Sequence, residues 1–258
     1  MQKSNRVISV LVLFSLCFPG TVRAATPAPG QHFNHIVTII IENIDYKEAV
    51  ADPYLKALAK RGAFLSHYHA LFHPSYPNYL AMVAGNFFWT FLDNQKNIKA
   101  PNVADLLEDK GYTWKNYAEN YPGNCFLGAE SGRYVRKHVP FLSFRNIQNN
   151  PARCARVVNA DEFAVDWAAG TLPNYAFFTP NQDDNAHDTD LPTASQWLQK
   201  FLEPYLADTE RMKDTLFFVT FDESHSYFNS NRIYAVALGP MVKEGSVYAD
   251  RRNHFDYI

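Results

Sequence analysis

A three-layer α/β sandwich with a mostly parallel central sheet is the fold this sequence predicts, on three observations. His35–Ile41 (HIVTIII) and Thr215–Phe221 (TLFFVTF) are near-continuous β-branched and aromatic runs, the pattern of strands buried on both faces. Such runs alternate with helical stretches of about ten residues, the length of a crossover between parallel strands. The strand-like runs also end in polar clusters, and ligands of open parallel sheets bind beyond the carboxyl ends of the strands.

The elements follow in order. Pro53–Arg61 has helical spacing and stops at Gly62. Ala63–His69 alternates as a strand does. Tyr76–Ala84 is apolar, ends at Gly85 and reads as a helix, as does Pro101–Lys110, with Pro near its start and Gly111 after its end. Tyr112–Ala118 is a predicted strand. Asn159–Ala169 is a predicted helix with Asn159 as N-cap, and Asn174–Thr179 the strand after it. Thr193–Leu206 reads as a helix bent or ended by Pro204, Ile233–Leu238 as a strand, and Asp250 onwards as the start of a helix.

The chain has 258 residues, 47% hydrophobic and 19% charged, with only 3 Cys. Those values exclude a disordered chain and a disulfide scaffold. A formal charge of -2 shows no basic excess, so no nucleic acid is expected as a structural partner. Lys3 and Arg6 precede an apolar run, Val7 to Phe18, then Pro19-Gly20 and Val22-Arg23-Ala24. These are the parts of a secretory signal peptide, and the run is too short for a bilayer core of about 30 Å. Residues 1–24 are therefore expected to be cleaved, 25–31 to be a linker and 32–258 one domain, secreted or periplasmic and without a stable membrane anchor. Three bases and no acid leave with the signal, taking the formal charge from -2 to -5. Cys17 leaves too, and Cys125 and Cys154 remain as either a disulfide or two thiols.

Three strand ends carry polar groups: Glu42-Asn43 after Ile41, Asp222-Glu223 after Phe221, and the segment from Pro180 to Asp188 after Thr179. Clustered carboxylates repel unless a cation neutralises them, so a divalent metal of unspecified identity is expected. Asp183 and His187 stand four apart in the third segment. Ser75, in His73-Pro74-Ser75-Tyr76-Pro77-Asn78, opens a helix where backbone N–H groups favour an anion. It reads as an N-cap when taken alone and as a nucleophile beside a metal-binding cluster. In Arg136-Lys137-His138, His138 is placed to contact phosphate or protonate a leaving alcohol, with a surface basic turn as the alternative. Asn120 is a second candidate phosphate donor, and one of His67 and His69 a candidate to face the site.

As a set, IIIENIDY, HPSYPNYLAMVAG, NYAEN, RKHVPF, TPNQDDNAHD, VTFDES and the late VALGPMVKEGSVY…NHF resemble the phosphoesterase family of bacterial acid phosphatases and non-haemolytic phospholipases C. They cover nearly the whole of residues 32–258. The resemblance implies an alkaline phosphatase-like core and a Ser nucleophile beside metal. Carried over residue by residue, it implies metal at Glu42, Asn43, Ser75, Asp222 and Glu223, and catalysis by Ser75, His187 and His138. Substrate contacts would come from Asn120, His138 and His254. The expected activity is hydrolysis of a small phosphate monoester through a phosphoserine. A phospholipase C-type diesterase and a non-catalytic phosphate- or metal-binding protein are the alternatives. Asn185 stands where members often have Asp, Tyr46 where Phe is frequent, and the chain ends at Ile258 where members continue through a closing helix, so it reads as truncated or minimal.

Overall fold

The computed structural model describes residues 32–257; the predicted signal peptide and linker lie outside them. The strands are β1 (His35–Ile41), β2 (Ala63–Leu65), β3 (Tyr68–His69), β4 (Trp114–Ala118), β5 (Glu130–Ser131), β6 (Tyr134–Val135), β7 (Val157–Asn159), β8 (Tyr175–Thr179), β9 (Thr215–Phe221), β10 (Ala235–Leu238), β11 (Ser246–Tyr248) and β12 (Arg252–Asn253). The α-helices are α1 (Tyr46–Ala51), α2 (Pro53–Arg61), α3 (Ser75–Ala84), α4 (Val103–Asp109), α5 (Arg145–Gln148), α6 (Pro151–Cys154), α7 (Asp161–Ala169), α8 (Leu191–Leu206) and α9 (Thr209–Met212).

Eight strands form the central sheet in the order β11-β2-β10-β9-β1-β8-β4-β7. From β9 to β7 every neighbour is parallel, while β10 runs antiparallel to both β9 and β2. The two-residue period of a strand sends alternate side chains to opposite faces. Accordingly Val37, Ile39 and Ile41 of β1 join a core with Leu55 and Leu58 of α2, Phe163 of α7 and Leu198 and Leu202 of α8. Ile40 joins a second core with Tyr79 and Leu80 of α3, Val103 of α4 and Phe141. Helices therefore cover both faces, and the predicted three-layer sandwich is present. Both faces of β1 need apolar side chains, which is why its sequence shows no alternation.

Local chemistry sets the ends. Asp52 caps α2 by accepting the N–H groups of Tyr54 and Leu55. Gly62 follows because any Cβ there would collide with the Ala237 carbonyl. Gly85 closes α3 in the left-handed region, φ 59°. Asn102 and Asp105 form a capping box on α4. Asn159 is the last residue of β7, not a helix N-cap, although its Oδ1 accepts the Asp161 N–H at 3.2 Å. The predicted strand Ala63–His69 is two short strands, β2 and β3, separated by Ser66–His67. Asp250 does not begin an α-helix: β12 pairs with β3, and His254–Tyr257 is a 3-10 turn. Pro204 lies inside α8 without ending it. Cys125 and Cys154 are joined, their Cα atoms 5.6 Å apart.

Candidate active site

The parallel strands deliver their following residues to one edge, and two of them meet. Glu42 follows β1 and Asp222-Glu223 follows β9, its immediate neighbour. All three acids are buried, at 0%, 0% and 1% exposure. Ser75, 3% exposed, is the first residue of α3 and makes no capping bond. Its Oγ lies 3.1 Å from Glu42 Oε2 and 3.1 Å from Glu223 Oε1. A hydroxyl with one proton thus sits between two carboxylates, which is not the posture of an N-cap.

The helix N-terminus offers an anion less than its position suggests. Asp93 Oδ1 already accepts the Tyr76 N–H at 3.1 Å, and Pro77 has no N–H to give. Positive charge comes instead from a neighbouring 3-10 turn, Arg136–His138. Lys137 Nζ pairs with Asp93 Oδ2 at 2.7 Å. Burial works against the Lys137 ammonium, but Glu42 and Asp93 hold its pKa above the ordinary value. His138 stacks on Tyr79 with ring centres 4.9 Å apart and puts Nε2 2.9 Å from Glu42 Oε1. Burial pushes the His138 pKa down. Arg136 is buried and donates to the carbonyls of Leu127 and Leu142, both at 2.7 Å. Residues 136–138 are therefore not a surface basic turn.

The three acids differ in support. Burial raises the Glu42 pKa, but His138, Lys137 and His187 outweigh it and hold the group at about 2; Tyr79 Oη also donates to its Oε1 at 2.8 Å. Asp222 is pushed well up by burial and by Glu42 and Glu223. Glu223 is pushed to about 8 by burial and then Glu42. Among the described residues Asp222 Oδ2 has no hydrogen-bond partner, nor do His73 Nε2 and His138 Nδ1. Glu223 Oε2 meets His73 Nδ1 in a close contact. Buried carboxylate oxygens left without donors, beside imidazole nitrogens that have no hydrogen-bond partner, have the charge and donor type that a divalent cation satisfies. Among the described residues no three His, Cys, Asp or Glu side chains stand posed around one point as a metal requires, so the fit is one of charge and donor type.

The other sequence-selected residues lie at varying remove. Asn43 is half-buried in the turn after β1. His187 is on the segment after β8, its ring centre 6.4 Å from that of His138 and its Nδ1 2.7 Å from Asp188 Oδ1. Asn185 builds that segment: its carbonyl accepts the Glu42 N–H at 3.0 Å and its Oδ1 the His187 N–H at 2.8 Å. Asp183 pairs with Arg133 at 2.9 Å instead of joining the cluster. His254 is fully buried, with Nε2 2.7 Å from the Asp222 carbonyl, so it steadies the acid from behind. Asn120 is exposed at φ 58°, and among the described residues no hydrogen bond ties its side chain to the cluster. His69 Nδ1 bonds the Ser230 carbonyl at 3.0 Å. His73, Tyr79, Asp93 and Lys137 were not singled out from the sequence. His73 and Lys137 lay inside quoted motifs and were within reach; Asp93 had no pattern to mark it.

In fold, this sandwich resembles solved structures of the alkaline phosphatase superfamily. A Vibrio parahaemolyticus member of that superfamily aligns with a TM-score of 0.63 at 12% identity, covering 89% of this chain and 66% of its own. More narrowly, the chain belongs to the phosphoesterase family, whose profile matches residues 42–256. A probable acid phosphatase of Kluyveromyces lactis is 39% identical over 226 residues, 83% of this chain and 53% of its own. A phosphatidylinositol-3-phosphatase of Mycobacterium tuberculosis is 30% identical over 256 residues, 97% of this chain and 82% of its own. The chain spans about half the length of the fungal acid phosphatases it matches.

Proposed function

We propose that the protein hydrolyses phosphate monoesters, as an acid-phosphatase-type enzyme, through a phosphoserine at Ser75. The observation that carries this is the Ser75 hydroxyl held 3.1 Å from each of two buried carboxylates. The names of the relatives support the reaction class. In the first step Ser75 Oγ bonds to phosphorus as its proton passes to the ionised Glu42 and the ester P–O bond breaks. The departing oxygen takes a proton from His138 or His187. Lys137 and His138 face the charge that spreads over the phosphoryl oxygens. Water then attacks phosphorus and gives a proton to the imidazole that protonated the alcohol, the Ser75 Oγ–P bond breaks as Oγ takes its proton back from the carboxylate, and inorganic phosphate leaves.

Glu42, Asn43, Asp222 and Glu223 are the residues that would hold a divalent metal. Bound there, such an ion supplies Lewis-acid polarisation and lowers the pKa of a hydroxyl beside it. The apolar, basic N-terminus and the Cys125–Cys154 bond support a secreted or periplasmic location.

The test is turnover of p-nitrophenyl phosphate by residues 25–258, with and without EDTA, beside Ser75→Ala. The expected loss is about 10³-fold or more, and acid quenching should trap phosphate on Ser75 by peptide mass. Full activity in Ser75→Ala would remove the nucleophile assignment.

A further inference from the structure

An aromatic wall gathers along the segment that leads into Ser75, in two groups: Tyr227 on His73, and Phe72 with Phe87, Phe91 and Trp89. Tyr227 lies nearly parallel to His73, with ring centres 4.4 Å apart at 24°, and His73 touches Glu223, the acid on Ser75. Phe72 packs on Phe87 at 4.4 Å, and Phe91 reaches both, at 6.3 Å and 5.5 Å. Trp89 extends the wall at 6.4 Å from Phe91. The rings stand out into solvent, Trp89 81% exposed, Tyr227 60% and Phe91 53%, and clustered exposed aromatics mark interaction sites.

The backbone is built to hold them out. Phe88 and Trp89 both adopt left-handed φ, 52° and 51°, a conformation bulky residues avoid unless their surroundings enforce it. Lys96 Nζ enforces it by donating to the carbonyls of Phe88 and Trp89 at 3.0 Å and 3.2 Å. Asn86 Oδ1 accepts the Phe88 N–H at 2.7 Å, and Phe88 turns inward onto Phe144 as an anchor. Two residues past Phe91, Asp93 binds both the Tyr76 N–H and Lys137. The segment is thus tied at one end to the helix that carries Ser75. Tyr227 reaches the cluster through His73, which meets Glu223.

We infer that Phe72, Phe87, Trp89, Phe91 and Tyr227 form the subsite for the organic part of the ester, selecting monoesters whose leaving alcohol is long and apolar. This rests on the reading of Ser75 as nucleophile. The occupant is a monomeric substrate, because the wall begins one ring away from the reacting acids.

The experiment compares n-octyl phosphate, below its micelle concentration, with ethyl phosphate. The two leaving alcohols have nearly equal basicity, so the chemical step is matched and only apolar contact differs. The wild type should favour the octyl ester in kcat/KM by at least about tenfold, and Trp89→Ala/Phe91→Ala should bring the ratio near unity. A wild-type ratio near unity, or an unchanged ratio in a variant with a native melting transition, overturns the inference. Tyr227→Ala serves as the second variant and should lower the same ratio. Loss of binding to phosphatidylcholine vesicles with the ratio intact would make the wall a membrane contact and also overturns it. If no ester is turned over, the nucleophile reading has failed. Titration with octylphosphonate against ethylphosphonate then reads the wall alone, with tighter octyl binding in the wild type and equal binding in the double variant expected. Equal binding in the wild type overturns it.

Discussion

Two halves of the sheet's carboxyl edge carry acids in the same topological position and treat them in opposite ways. At the ends of β1 and β9, Glu42, Asp222 and Glu223 are buried together and share few donors. At the ends of β4 and β8, the acids are satisfied locally. Glu119 accepts from Asn181 N–H and Trp197 Nε1, both at 3.0 Å. Asp183 and Asp188 share Arg133. Satisfied acids hold a loop in shape, whereas buried acids lacking donors cost stability and persist where a ligand will meet them. Under the proposed function, the contrast puts the chemistry on the β1/β9 side and the scaffold on the β4/β8 side.

The largest expected effect breaks the contrast at Asp222. Asp222→Asn removes one of three mutually repelling carboxylates. In EDTA the variant should unfold about 1–2 kcal/mol harder than wild type, while turnover falls about 10³-fold. Added divalent cation should raise the wild-type melting temperature by mass action and move the variant much less. A variant that is both active and unaltered in stability would show that the β1/β9 acids are no more special than those of β4/β8.

Next comes the covalent tie on the scaffold side. Cys125 follows β4 and Cys154 precedes β7, 29 residues apart. A loop of that length gives about 3–4 kcal/mol in the chain-entropy account. Cys125→Ala/Cys154→Ala should lose about that much in urea unfolding. Its kcat should stay within about threefold, because neither sulfur touches Ser75 or the acids. A loss of turnover larger than the loss of stability would mean that the two halves are coupled.

How much of this could be read from the sequence follows the same division. β1 and β9 occupy the residues expected of them, because strands buried on both faces announce themselves by unbroken apolar runs. Glu42, Asp222 and Glu223 stood beside those runs and came together as neighbouring parallel strands require, and the start of α3 brings Ser75 to them. The scaffold side was less legible. β7 was missed, and its last residue, Asn159, read as a helix N-cap, because three residues at a sheet edge show no period. β12 was missed because its pairing with β3 is set by a partner 184 positions away in the register Arg252–Tyr68. Asp93 was invisible for a similar reason: its partners, Tyr76 and Lys137, lie 17 and 44 residues off, and nothing local marks an acid as a helix cap for another segment.

The smallest effect sharpens the contrast by asking what a satisfied acid does with pH. Burial, then Asp184, outweigh the donors to Glu119 and raise its pKa from 4.5 to about 7. The native state therefore favours the protonated acid more than the unfolded chain does. That stabilisation is complete below about pH 4.5 and is lost as pH rises through about 7. The upper bound is about 3 kcal/mol, at about 1.4 kcal/mol per pKa unit. The measured value should be nearer 1–2, since one edge of the group meets solvent. Glu119→Gln keeps a neutral group whose amide can donate to Asp184 as the protonated acid does. Its unfolding free energy should track the wild type at pH 4.5 and exceed it by about 1–2 kcal/mol at pH 8.5. Equal stabilities at both pH values would mean that the Asn181 and Trp197 donors already satisfy the anion. The segment carrying His187 would then be held as firmly in base as in acid, and its stability would add nothing to any preference of the proposed activity for low pH.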